Sequence, residues 1–224
     1  SVLFELGNTK VLCSISLQTG VPPFLKGKKT GWLTAEYAML PSATTIRTPR
    51  ESSTGQKNGR SIEISRLIGR SLRSVVNLQS IGEQTIMIDC DVLQADGGTR
   101  TACITGACLA LSKAEMKWLA SGIISKPLLI DKLAAISVGL TNQSALLDID
   151  FAEDNACQAD YNFVLTESGS IVEVQGTAEK SPITWQQMEQ VYQLAQQGVS
   201  QLFALFDNQK FDLQKPTIHL QKFL

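Results

Sequence analysis

The chain has 224 residues, of which 43% are hydrophobic and 18% charged, so it can bury a substantial core and does not have the composition of a disordered segment. The formal net charge of −1 averages two unlike halves: residues 1–113 carry 13 Lys/Arg against 8 Asp/Glu, a net of +5, and residues 114–224 carry 7 against 13, a net of −6. No apolar run reaches the roughly 18–20 residues of a membrane span, no signal peptide is recognisable, and a lone histidine, His219, excludes paired-histidine nuclease chemistry within one chain.

Ser1–Leu6 and Thr9–Leu17 read as a hairpin around Gly7-Asn8, with glycine at the first turn position. Gly20–Lys29 reads as a loop, Trp32–Leu40 as a strand, and Pro41–Gly59 as a long polar loop of the kind that carries function. Ser61–Val76 has helical spacing of Ile64, Leu67, Ile68, Leu72, Val75 and Val76. On another face it carries Glu63, Arg66, Arg70 and Arg73, where Glu63 can pair with Arg66 or Arg70. Gln84–Asp96 is a predicted strand, and Thr99–Gly122 a predicted helix opened by Gly97-Gly98. Lys132–Leu140, Ser144–Phe151, Gln158–Leu165 and Ser170–Gln175 read as strands, and Trp185–Phe206 as a helix capped by Thr184 or Ser181. Strands followed by helices predict an α+β fold. Residues 1–207 are expected to form a single catalytic domain, and residues 208–224 a tail. The chain opens at Ser1 inside a strand-like stretch without an initiator Met, so a further N-terminal segment is expected. The five cysteines form no CxxC pair and sit mostly among apolar residues, which predicts buried, reduced thiols and a cytoplasmic setting.

Three clusters bear on chemistry. The first is Asp96-Gly97-Gly98-Thr99-Arg100-Thr101, between a predicted strand and a predicted helix. Paired glycines allow close backbone approach, the helix start offers free N–H groups, and Thr99 and Arg100 add donors suited to one phosphate. The same residues would also serve as an ordinary strand-to-helix turn. The second is basic: Lys26, Lys28, Lys29, Arg47, Arg50, Lys57 and Arg60 in loops, which suits a phosphodiester backbone or a solvated face. The third is acidic. Asp154 and Asp160 flank a short connection between strands and can meet at one end of a sheet, to hold Mg²⁺ or to let one carboxyl donate a proton. Asp148 and Asp150 read as outward strand positions and are left out of the site. Together these parts suit phosphoryl transfer on a polyanion.

The strings GNTKVLCSIS, VPPFLKG, GWLTAEYAMLP, RTPRESS, GRSIEISRLIGRSLRSVV, IDCDVLQADGGTRTACITGA, LAAISVGL and VEVQGTAE resemble ribonuclease PH from about Gly7 to about Phe206. The resemblance implies a fold like the second domain of ribosomal protein S5, used twice in a βαβα-type pseudo-repeat. It also implies phosphorolytic 3′→5′ trimming of RNA, chiefly tRNA precursors, with release of nucleoside 5′-diphosphates and reversible nucleotide addition. It assigns phosphate binding to Arg60, Gly98, Thr99 and Arg100, and Mg²⁺ to Asp154 and Asp160, with Asp160 the better proton donor. Arg47 and Arg50 match positions tied to RNA contact and ring assembly, and the ring is a homohexamer, a trimer of dimers. Ser42 stands where the family often has an arginine, and the family's opening DGR motif is absent. A catalytically silent RNA-binding subunit of an exosome-like ring is the main alternative, which the full set Arg60, Thr99, Arg100, Asp154 and Asp160 disfavours. Half of a polynucleotide phosphorylase and a hydrolytic nuclease of the same fold are the others.

Overall fold

The computed structural model describes residues 1–55, 58–142 and 144–208. Lys57 and the predicted tail after Asn208 lie outside the described residues. Two hairpin strands, β1 (Val2–Leu6) and β2 (Thr9–Thr19), open the chain around Gly7, whose left-handed φ of +56° costs glycine no Cβ clash. β3 (Trp32–Met39) follows, then a one-turn helix α1 (Glu51–Thr54) within the predicted loop. Helix α2 (Gly59–Arg73) begins two residues earlier than its apolar spacing suggests, because the Asn58 side chain caps it by accepting from the Arg60 N–H. β4 (Gln84–Gln94) and the long helix α3 (Thr99–Ala120) complete the first half.

The first sheet has the order β1-β2-β4-β3, antiparallel except for β3 alongside β4. Its strands alternate: Val11, Cys13, Ile86, Ile88, Cys90 and Val92 are buried, and their neighbours are less so. The second half contains β5 (Leu133–Leu140), β6 (Ala145–Leu147), α4 (Phe151–Ala156), β7 (Ala159–Thr166), β8 (Ile171–Ala178) and α5 (Trp185–Asn208). Its sheet is wholly antiparallel, in the order β6-β5-β7-β8. The first half ends in the order β3-α1-α2-β4-α3 and the second in the order β6-α4-β7-β8-α5, which is the expected α+β class.

α3 ties the halves together. Every residue from Thr101 to Leu111 is buried, because one side of the helix meets β1 and β2 and another meets β5. A helix that is apolar all round belongs between layers, not on a surface. Gly106 permits this approach, since a Cβ there would lie 2.9 Å from both Cys13 Sγ and Phe4 Cβ. α5 covers the opposite face of β5, where Gly198 rests against Ile136 and Leu147. Thr184 is its cap: its Oγ1 accepts from the Gln187 N–H and its own N–H donates to Gln187 Oε1 at 2.8 Å. All five cysteines are buried and free. Among the described residues no helix is long and apolar enough to cross a membrane.

One predicted strand is much shorter than expected. Ser144–Phe151 forms strand only at Ala145–Leu147. Asp148 then adopts a φ of +54°, and Asp150 starts α4 through a capping box. Its Oδ1 accepts from the Ala152 and Glu153 N–H groups at 2.9 Å, and Glu153 Oε2 accepts from the Asp150 N–H. The apolar alternation Leu147, Ile149, Phe151 mimics a strand, but the local capping hydrogen bonds prevail.

Candidate phosphate and carboxylate site

The site grows from the turn between β4 and α3. Gly97 and Gly98 both have left-handed φ, +74° and +53°. The hairpin turn of the first sheet holds this loop. Thr9 Oγ1 donates to the Gly97 carbonyl at 2.7 Å and accepts from the Asp96 N–H at 2.9 Å, and Asn8 Nδ2 donates to Asp96 Oδ2 at 2.8 Å. α3 then starts without any side-chain cap, leaving backbone donors and the positive end of a 22-residue helix facing outward.

Gly97 meets a second requirement. A Cβ there would fall on the Ile149 carbonyl and within 2.8 Å of the Asp150 backbone, so glycine lets the segment before α4 press against the loop. At Gly98 the nearest atom to such a Cβ would be Thr101 Oγ1 at 3.3 Å. Gly97→Ala should therefore destabilise the protein by about 2–4 kcal/mol, and Gly98→Ala by only about 1–2 kcal/mol. Urea unfolding of both variants measures the order, and equal losses would deny the close contact at Gly97.

A cavity of about 270 Å³ lies in front of this helix start. Arg60, Gly98, Thr99, Arg100, Asp154 and Asp160 all line it, so the structure brings six sequence-selected residues to one place. Arg60 comes from the first turn of α2. Thr99 is buried, with its Oγ1 3.0 Å from the hydroxyl of Tyr37 on β3. The Arg60 charge acts on the same hydroxyl, so one buried tyrosine lies between both sides of the anion site. Burial pushes the Tyr37 phenol up to about 12, so it remains a neutral donor. Arg100 is held by Gln175 of β8, whose Oε1 accepts from Nη1 at 3.1 Å, and by Glu63 of α2 at 3.5 Å. The expected pairing of Glu63 with Arg66 or Arg70 gives way to this contact across elements. Arg70 instead forms a two-pronged pair with Glu173, which joins α2 to β8.

The carboxylates face these cations. Asp160 stands on β7 in register with Gly139 of β5 and Thr177 of β8. Asp154 projects from α4, which is pinned at its start by Asp150 and at its end by Lys180, whose Nζ donates to the carbonyls of Asn155 and Ala156 at 3.0 and 2.7 Å. Both charges suit the helix dipole. Desolvation raises the Asp154 pKa above the usual carboxylate value, and the charges of Asp160 and Glu179 raise it further, against the opposing pull of Arg100 and Arg60. Among the described residues no group of three or more His, Cys, Asp or Glu is placed to cage a metal.

Arg47 and Arg50 are exposed and are not among the residues lining this cavity. Sequence reasoning missed Tyr37, Ser137, Asn155, Asn162, Gln175 and Glu179, which contact or line the site. It also set Asp150 aside, although Asp150 orients the helix that bears Asp154. Register was the missing information: Ser137, Asn162 and Gln175 are neighbours across three strands.

Residues 1–117 match domain 1 and residues 131–198 match domain 2 of the 3′ exoribonuclease family. The chain is 52% identical over 202 residues to ribonuclease PH of Neisseria meningitidis serogroup C, covering 90% of this chain and 84% of that one. It is 54% identical over 202 residues to ribonuclease PH of Tropheryma whipplei strain Twist, covering 90% and 82%. Its fold is similar to a chain of the Archaeoglobus fulgidus exosome with RNA bound to the active site, with a TM-score of 0.75 at 18% identity over 91% of this chain and 82% of that chain. It is also similar to rice Rrp46, with a TM-score of 0.69 at 15% identity over 90% and 84%.

Proposed function

Since the chain belongs to the 3′ exoribonuclease family, on its ribonuclease PH branch, we propose that the cavity before α3 is where inorganic phosphate cleaves the last phosphodiester of an RNA. The observation that carries this reading is a single cavity in which an uncapped helix start and two arginines face two carboxylates. Phosphate docks on the N–H groups of α3 with the Arg60 and Arg100 guanidiniums and the Thr99 hydroxyl. One of its oxygens attacks the terminal phosphorus, the P–O3′ bond breaks, and the electron pair stays on the ribose oxygen, which takes a proton. The products are a nucleoside 5′-diphosphate and an RNA one nucleotide shorter with a free 3′ hydroxyl. The arginines spread the charge of the two phosphates, and the fold aligns attacker and leaving group. Because one phosphate link replaces another, the reverse addition of nucleotides is open to the same site.

Asp154 and Asp160 fit Mg²⁺. They offer only oxygen ligands, and their mutual repulsion is what a cation between them relieves. Mg²⁺ takes its remaining ligands from water and substrate phosphate, so two protein carboxylates suffice. When bound it supplies charge neutralisation. Asp160 is the carboxyl assigned to proton transfer. Residues 1–207 act as one catalytic domain, supported by the single core that α3 shares with both sheets. The 3′ ends of tRNA precursors are the proposed substrates, reached in a homohexameric trimer of dimers whose exposed Arg47 and Arg50 contact RNA or a neighbouring subunit. Buried free thiols support the cytoplasm as its compartment.

The test is product identity. An RNA with a single-stranded 3′ overhang, incubated with the protein and Mg²⁺, should yield nucleoside diphosphates only when phosphate is added. Monophosphates released without phosphate would mean hydrolysis, and no release under any condition would favour a silent ring subunit.

A further inference from the structure

The row Ser137, Asn162 and Gln175 runs across β5, β7 and β8 on the face that looks toward the site. Gln175 is occupied with Arg100. Ser137 is different. It is 3% exposed, and its Oγ has no hydrogen-bond partner. Its backbone carbonyl is engaged, accepting from the Asp148 N–H at 2.8 Å, so the strand is fixed and only the hydroxyl is unpaired. That hydroxyl lies 3.6 Å from where a Cβ on Gly98 would stand, and Ser137 lines the same cavity as Arg60, Thr99 and Arg100. The other unpartnered buried hydroxyl among the described residues, Ser71 on α2, does not line this cavity.

A buried hydroxyl without a partner is costly to keep, and an alanine at the same place would fold with less penalty. A ligand that arrives with acceptor oxygens removes the cost. We infer that Ser137 is a direct ligand of the reacting phosphate, its Oγ–H donating to one phosphate oxygen from the sheet side while Arg60 and Arg100 approach from the others. The missing side chain at Gly98 leaves the space through which the hydroxyl reaches the anion. Ser137 thus adds a second neutral side-chain donor, beside the Thr99 hydroxyl, to a site otherwise made of charges and backbone, which fixes the anion's orientation as well as its position. This rests on the phosphorolytic reading above.

The experiment compares wild type with Ser137→Ala in three measurements. They are thermal unfolding with and without inorganic phosphate, the KM for phosphate, and the KM for RNA. Without phosphate the variant should unfold at the same temperature as wild type or higher, since an unpaired donor has been removed. Phosphate should raise that temperature less in the variant. Its KM for phosphate should increase about tenfold or more, the scale of one hydrogen bond to a charged group, with the KM for RNA unchanged. A lower unfolding temperature without phosphate together with an undiminished phosphate response would make Ser137 structural and overturn the inference. A raised KM for RNA alone would also overturn it, by placing the hydroxyl on the ribose. A wild type that ignores phosphate in every measurement would instead bring down the phosphorolytic reading, and this inference with it.

Discussion

Arg100→Ala should lower kcat/KM for phosphate by about 10³-fold, some 4 kcal/mol of transition-state stabilisation, while the protein stays folded. The two halves of this expectation have separate causes. Arg100 sits in the first turn of α3, where alanine is a better helix former than arginine. Its bonds to Gln175 and Glu63 are partly exposed and contribute little to stability, because solvent screens such pairs and ordering long side chains opposes them. The core of α3 lies at Thr101–Leu111, which the substitution leaves alone. Activity depends on something else. The guanidinium lines the cavity at the uncapped helix start, held there by partners on α2 and β8. Without it the charge that develops between two phosphates loses one of the two guanidiniums that line the cavity. Arg100→Lys keeps the charge and loses the planar fork, so it should recover only part of the rate. Steady-state kinetics with phosphate as the varied substrate, beside a thermal unfolding curve, checks both. Wild-type kinetics in the alanine variant would remove Arg100 from the chemistry.

Why Arg100 could be selected from sequence, and Ser137 could not, is a matter of which forces act locally. A glycine pair between an alternating strand and a long apolar segment specifies a turn and a helix start, and the two side chains that follow must project near it. The first hairpin was legible for the same reason, since Gly7 and the alternation on either side act within a few residues. α3 was legible by its length and its bounding glycines, although an all-round apolar helix has no stripe to read. The segment after β6 misled, because Leu147, Ile149 and Phe151 alternate as a strand would. The Asp150-x-x-Glu153 capping box within that segment was the contrary signal. Ser137 lies in an octapeptide, Leu133–Leu140, that is buried throughout, and only its pairing with β7 and its position under Gly98 give its hydroxyl a direction. Long-range register of that kind has no local signature. Tyr37 is the same case: its hydroxyl meets Thr99, 62 positions away.

Asp160→Asn should cut turnover by about 10²–10³-fold, the range for loss of a general acid or of a metal ligand in phosphoryl transfer, and should change RNA affinity far less. Asp160 is fixed by its strand, with Gly139 on one side and Thr177 on the other, so the substitution leaves the geometry intact and changes only charge and proton capacity. It also acts on its neighbour. Asp160 is one of the charges that raise the Asp154 pKa, so its removal should let Asp154 titrate closer to an ordinary aspartate, moving any limb of the pH–rate profile that reports Asp154 to lower pH. Stability should move in the opposite sense from activity. A carboxyl whose folded pKa is raised binds its proton more tightly in the native state, so its contribution to stability falls as pH rises through that folded value. Easing the repulsion on Asp154 therefore makes the variant at least as stable as wild type at neutral pH, and the advantage should vanish in acid, where Asp154 is protonated in both proteins. The demand for Mg²⁺ should rise, because one of its two proposed ligands has lost its charge. Turnover and RNA affinity that fall together, by the same factor and with no change in Mg²⁺ dependence, would assign Asp160 to holding the RNA instead of to the bond-breaking step.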